Sequence, residues 1–456
     1  MEFLNRVEER RRLNRFLSAT DGALACLYGR RRVGKSRLIE EVVKGKTAVV
    51  SFVADKNEAS LQRERLARDI SAVLPGFADV RYDNWGALME RWAHDAPRGA
   101  VLIIDELPYL VERSPELPSV LQRIVDGIRT TGQKIMLCGS SQRMMQGLVL
   151  NEREPLYGRA REIIRLDPLA PECLPKAFPR LSSWERFSLY AVWGGIPRYW
   201  EICRDGDGLW GTLREHVFSP QGLFHDEPNF ILQDDLRDSV QAASVLSLIG
   251  EGVTRPSEIA ARLQTPATSL GRPLKRLIGL GLVRREVPFG SDAKSAKKAL
   301  YRLADPFLRF WYSFVLPNYS DAYYLSDKAE IDAIQPAFAV FLGQAWEFMV
   351  RDTVHRKPLP GFDGRLRNAA RWWGLGVNGR QMEIDVVAES VDRNVLFVGE
   401  AKLSLSGIEA EHVMRELVAK ARMLPFADKY KRIEARLFVA RNPPKGAVSL
   451  DWCESC

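Results

Sequence analysis

Along the first third of the chain, short runs that are apolar at every position are followed by glycine loops and helical periodicity. "ALACLY", "VLIID" and "KIMLCG" offer solvent no polar face, the pattern of strands buried on both sides of a parallel sheet. From Pro171 to about residue 235 the pattern becomes helical and rich in Leu, Trp and Phe. Residues 238–304 show three apolar-periodic helices and then two short strands, "LVRREVP" and "KALYRLAD". Gly252 stops the first helix, Pro256 opens the second, and Thr265 is the expected cap of the third. Residues 305–334 form an aromatic-rich packing linker. "AFAVFLGQAWEFMVRDTVHR" then carries a helical stripe. It is followed by strand–turn–strand in "RWWGLGVNGRQMEIDVVAES", a strand in "NVLFVGEAKLS", a helix in "IEAEHVMRELVAKARML" and a strand in "ARLFVAR". The expected fold is multidomain α/β, with units at 1–170, 171–237, 238–304, 305–334 and 335–456.

Composition narrows the class. The chain has 456 residues and a formal net charge of +8, compatible with a nucleic-acid partner. No apolar run approaches the roughly 18 residues a spanning helix needs. The charged opening "MEFLNRVEERRRLNRFL" lacks a signal-peptide core, so a cytoplasmic protein with no membrane partner is expected. Six scattered cysteines read as free thiols. Cys453-x-x-Cys456 has no second pair beside it and reads as a frayed tail.

Chemistry enters with Gly29-x-x-x-x-Gly34-Lys35-Ser36, between the first strand and a helix. Backbone N–H groups of such a loop and the helix N-terminus cradle phosphate oxygens. The candidate nucleotide-binding set is Gly29, Arg32, Val33, Gly34, Lys35, Ser36 and Arg37, with Lys35 at the β- and γ-phosphates of ATP and Ser36 on Mg²⁺. Asp105 ends the strand "VLIID". A buried acid there needs a partner, and Mg²⁺ beside Ser36 supplies one. Glu106 is placed to orient the attacking water. Ser140 and Ser141 follow "KIMLCG", where a hydroxyl either senses the γ-phosphate or caps the next helix. Arg159, on a turn after Gly158, is either a finger supplied to a neighbouring subunit in a homo-oligomer or a solvated surface residue.

In residues 238–304 the third helix would be the reading helix, with Arg272, Lys275 and Arg276, and the wing would carry Lys294, Lys297 and Lys298. This unit either touches DNA or packs domains together. Further on, Asp385 lies inside one strand, and Glu400-x-Lys402 ends the next. Residues two apart on a strand share a face. Such carboxylates hold Mg²⁺ or Mn²⁺, and a lysine steadies charge on a scissile phosphate. Glu347, inside the preceding helix, is either a further metal ligand or part of a solvated face.

Two resemblances follow. "FLNRVEERRRL", "LYGRRRVGKSRLIEE", "VLIIDELPYL", "MLCGSSQRMM", "PLYGRA" and "VWGGIPRYW" occur in that order, and residues 1–235 resemble the archaeal-type ATPases of the AAA+/STAND group. The resemblance implies ATP hydrolysis, a helical lid containing Gly194–Pro197, Arg159 as a trans-acting finger, and Phe3, Arg6 and Glu8 near the nucleotide. Residues 335–445 resemble the PD-(D/E)xK, restriction-endonuclease-like fold in the version fused to these ATPases as the domain DUF234. That likeness rests on Glu347, Glu383-Ile384-Asp385 and Glu400-Ala401-Lys402. It implies Asp385 and Glu400 as metal ligands, Glu347 as an accessory ligand, and Lys402 as the catalytic lysine. It equally admits an inactive version inside an ATP-gated DNA-binding switch.

Overall fold

The computed structural model describes residues 3–205, 208–236, 240–292, 298–321 and 328–455. Five strands, β1 (Ala23–Tyr28), β2 (Val49–Val53), β3 (Val101–Asp105), β4 (Lys134–Gly139) and β5 (Ala160–Arg165), form a parallel sheet in the order β2-β3-β4-β1-β5. All residues of β1, β3 and β4 are buried. In β1, Ala23, Ala25 and Leu27 enter one core and Leu24, Cys26 and Tyr28 the other, as strand alternation requires. This two-sided burial is why these strands read as unbroken apolar runs.

Helices Val240–Gly250, Pro256–Arg262 and Gly271–Gly279 precede β6 (Val283–Glu286) and β7 (Leu300–Leu303), an antiparallel pair. Gly252, at φ 93°, ends the first helix as expected. Thr265 does not cap the third. A 3₁₀ turn over Ala267–Leu270 intervenes, and the helix starts only at Gly271. Pro273, Leu274 and Leu277 of that helix are buried, while Arg272 and Lys275 face solvent. Lys298 is exposed; Lys294 and Lys297 lie outside the described residues. The strand side is packed. The Arg284 guanidinium lies 4.2 Å from the Phe348 ring centre, and Phe289 N donates to Arg371 O at 3.0 Å. The unit thus packs against the C-terminal domain through its strands and meets Gln142 at the end of its third helix, whose Arg272 and Lys275 stay open.

The aromatic segment is a hub. Phe307, Phe310, Trp311, Phe314 and Val315 are all buried, and Phe307 stacks on Trp193 of the preceding helical region. Next, the helix Lys328–Val354 starts before Ala337 and runs through Pro336. It packs on a second sheet of β8 (Ala370–Leu375), β9 (Gln381–Glu389), β10 (Val395–Ser404) and β11 (Arg432–Arg441), in the order β11-β10-β9-β8. Helix Gly407–Arg422 covers the other face. Up to Ser455 the chain end is not frayed, and Cys456 lies outside the described residues. Leu450–Glu454 is helical, Cys453 is fully buried, and Glu454 makes a buried ion pair with Arg186 (2.5 Å). Trp452 and Leu450 supply the apolar surface that a two-residue reading of cysteines overlooks.

Candidate nucleotide and metal sites

The loop between β1 and the helix Lys35–Val43 is closed on itself. Lys35 Nζ donates to Gly29 O (2.9 Å) and Arg30 O (3.3 Å). Gly29 is required by space, because a Cβ there would lie 2.4 Å from Leu166 O. Gly34 sits at φ 97°, in left-handed territory. Ser36 Oγ donates to Asp105 Oδ2 at 3.0 Å, so helix and strand bring together the two groups expected around Mg²⁺. Asp105 Oδ1 also accepts from Glu106 N (2.9 Å), which helps hold Glu106 at φ 53°. This buried acid therefore has partners on both oxygens.

Ser140 and Ser141 divide the two roles weighed for them. Ser141 caps the next helix, its side chain accepting from Met144 N. Ser140 donates from N (3.1 Å) and Oγ (3.0 Å) to Glu106 Oε2. Ser140 therefore positions the acid that would orient water. Ser140→Ala is expected to lower kcat for ATP about tenfold with KM little changed, the signature of a displaced base. Steady-state phosphate release measures it; an unchanged kcat would remove Ser140 from the mechanism.

The loop arginines reach into other parts of the chain. Arg32 pairs with Glu227 (2.9 Å), which is fully buried and also accepts from Tyr199 Oη (2.9 Å). Arg30 pairs with Asp305, at the start of the aromatic hub. Arg37 and Arg198 share Glu201 (2.9 and 3.2 Å). Sequence reasoning missed Glu227 and Asp305, which stand some 200 residues or more from the loop and carry no local signal. Phe3, Arg6, Val33, Gly34 and Pro197 line one small pocket beside the loop, and Arg6 Nη2 donates to Val33 O (3.2 Å). Glu8 is instead exposed and paired with Arg11. Arg159 precedes β5, whose start lies level with the start of β1, so it sits at the sheet end opposite the loop. There it pairs with Asp126 (3.1 Å).

The second site lies where β9 and β10 part. Their pairing runs to Val386↔Gly399, one residue short of Asp385 and Glu400. Against β8, two residues of register on one side meet three on the other, so β9 bulges at Asp385–Val386. Asp385 Oδ2 accepts from Ala401 N (3.0 Å), and Arg351 donates to Asp385 O (2.8 Å). Lys402 Nζ contacts Glu400 Oε1 at 2.8 Å, while Glu400 Oε2 is buried with no hydrogen-bond partner. Glu347 comes from the long helix and pairs with Arg351 (3.5 Å). Glu383 is taken by Arg371.

Burial, and then the charge of Asp385, push the carboxyls of Glu347 and Glu400 above their ordinary range. Against burial, the hydrogen bond and charge of Glu400 hold the Lys402 ammonium above its usual value. The orphaned oxygen of Glu400, a carboxyl raised by burial and by Asp385, is a donor that a divalent cation would relieve, so Glu400 with Asp385 fits a metal. They approach without merging: among the described residues, no group of three His, Cys, Asp or Glu is close enough to hold one. A carboxyl with a raised folded-state pKa binds its proton more tightly folded than unfolded, so stability falls as pH rises through and above the ordinary value of 4.5. Glu400→Gln is expected to melt higher than the natural protein at about pH 8, with the gap closing toward about pH 4.5, and Mn²⁺ to raise the natural protein's melting point more at about pH 8 than at about pH 5. Thermal melting across pH checks both; a pH-independent gap would refute the strained carboxyl.

Residues 3–201 match the model of an ATPase domain predominantly from Archaea. With the loop, Asp105 and the five-stranded parallel sheet, this part of the chain is an archaeal-type P-loop ATPase domain. Residues 311–413 match DUF234, a family of archaeal and bacterial proteins of unknown function, so the two matches follow one another along the chain. An uncharacterized protein of Methanocaldococcus jannaschii is 26% identical over 447 residues, covering 95% of this chain and 97% of its own. The Walker-type ATPase of Pyrococcus abyssi is similar at 19% identity over 68% of this chain and 96% of that one, with a TM-score of 0.49. The Aeropyrum pernix ORC2 protein is similar at 14% identity over 71% and 97%, with a TM-score of 0.46. No helix of the described residues is long and apolar enough to cross a membrane.

Proposed function

We propose that the chain couples ATP hydrolysis to the processing of DNA, with the C-terminal domain cleaving phosphodiesters. The observation that carries this reading is the junction of β9 and β10: Asp385 at a bulge, Glu400 with one unpartnered oxygen, and Lys402 held against it. Asp385, Glu400 and Glu347 would hold Mg²⁺ or Mn²⁺, which when bound supplies an activated water and charge neutralisation. Lys402 stays cationic and faces the developing phosphate charge. In the ATPase domain, Ser36 and Asp105 would hold Mg²⁺, Lys35 neutralises the phosphates, and Glu106 orients water. The exposed Arg272 and Lys275 of the third helix suit DNA backbone phosphates. Arg159, paired with Asp126 within the chain, would have to leave that partner to serve a neighbouring subunit.

A second reading, an ATP-gated DNA-binding switch with an inactive C-terminal domain, is favoured by one observation: the carboxylates do not close into a ready-made group of three. Cleavage decides between them. Purified protein with Mg²⁺ or Mn²⁺, with and without ATP, is expected to nick or cut plasmid, linear or single-stranded DNA, and Asp385→Asn to abolish this. Intact ATP turnover with no cleavage of any form would select the switch.

A further inference from the structure

A cleft of about 1070 Å³ lies between the helical lid and the C-terminal domain, away from both candidate sites. From the lid come Arg180, Trp184, Arg204 and Trp210; from the C-terminal domain come Phe338 and Arg441. Arg180, Arg204 and Arg441 are exposed, and none has an acidic partner among the described residues. The Arg441 guanidinium lies 4.9 Å from the Trp184 ring centre. Among the described residues one acid, Glu185, lines the cleft, but its carboxylate is spent capping its own helix at Ser182 N (2.8 Å) and Oγ (2.7 Å). Three cations with no acidic partner among the described residues, set around half-exposed indoles, favour a polyanion that also carries flat rings. Trp210 meets Phe338 edge-on at 4.8 Å, making an aromatic wall that spans both domains.

The cleft is also continuous with the strand that bears the acidic site. Leu403 and Ser404, at the end of β10, line it, and Ser404 shares a face with Lys402 and Glu400. At the rise of a strand, Glu400 lies about 13 Å from Ser404, the length of a few nucleotides. We propose that this cleft binds a single strand of nucleic acid and feeds it to Asp385 and Glu400. Bases must be unpaired to stack on Trp184 and Trp210, which excludes a duplex. The proposal rests on the nuclease reading for its direction of travel, but binding itself does not require cutting.

The test therefore uses the full-length protein in EDTA, where metal-dependent cleavage cannot occur. Fluorescence anisotropy is measured with single-stranded DNA and RNA of about 12 nucleotides, a hairpin duplex and an acidic peptide. The single strands are expected to bind at least tenfold tighter than the duplex. Arg204→Glu combined with Arg441→Glu should weaken them at least tenfold and flatten their salt dependence. Lys46→Glu, an exposed cation just past the C-terminal end of the helix Lys35–Val43, should leave single-strand affinity unchanged. Trp210→Phe keeps the wall packed and should reduce the tryptophan quenching on binding. The preference between DNA and RNA identifies which strand the cleft serves. Charge reversal without effect on single-strand affinity overturns the proposal, as does an acidic peptide that binds as tightly as the oligonucleotides. Failure of the nuclease reading shows instead as tight single-strand binding with no cleavage when metal is restored.

Discussion

Lys35→Ala is expected to lower ATP turnover at least a hundredfold while moving the melting temperature by no more than a few degrees. The ammonium now bridges the carbonyls of Gly29 and Arg30, which keeps the loop closed around the place where phosphates bind. Those carbonyls border the open phosphate site, so water replaces most of what the lysine gave them, and the loss of stability is about 1 kcal/mol. In the proposed turnover the same charge would face the γ-phosphate as it separates. Loss of a preorganised electrostatic partner there costs about 3 kcal/mol of barrier, which is the hundredfold. Phosphate release and binding of a fluorescent ATP analogue together measure it. Turnover that survives the substitution would mean that the loop binds nucleotide without using it.

The second large effect is expected at Lys402. Lys402→Ala should reduce metal-dependent cleavage at least a hundredfold and leave ATP hydrolysis intact. Two consequences of the geometry coincide. The charge opposite the scissile phosphate is lost, and Glu400, already held above its ordinary range by burial and by Asp385, loses the main partner that opposes this, leaving only the charge of Lys420. Its carboxyl then rises further, protons compete better with metal, and the residual activity should need higher pH and more Mn²⁺. Lys402→Arg, which keeps the charge, should recover part of the rate and return the pH profile toward that of the natural protein. A purely structural lysine would show neither the alkaline shift nor the rescue. Assays of the Lys35 and Lys402 variants side by side separate the two chemistries.

Much of the ATPase domain was legible because its signals are local. A loop with Gly29, Gly34, Lys35 and Ser36 at fixed spacing must follow a strand and open a helix, and it does. The strands of the parallel sheet announce themselves because both faces are buried, and alternation in β1 then sorts Leu24 and Ala25 into opposite cores. The order helix, three strands, helix, strand in the C-terminal third was equally readable. Less local matters were not. Ser140 and Ser141 are adjacent and chemically identical, and only the turn after β4 decides that one holds Glu106 while the other caps a helix. The fate of the chain end turned on Arg186, a residue of the lid, which buries Glu454 and docks the final helix.

By itself, the sequence determined that a Gly29–Ser36 loop joins a strand to a helix, which strands are buried on both sides, and that two acids and a lysine fall at neighbouring strand ends. These are properties of spacing and of apolar run length, and both act over a few residues. Tertiary structure alone decided what those groups meet: Glu227 and Asp305 on the loop arginines, a bulge that sets Asp385 beside Ala401 N, and a cationic cleft built from the lid and the C-terminal domain. The reason is physical. Charges and aromatic rings act through a few ångströms of space, and only folding sets which distant residues share that space.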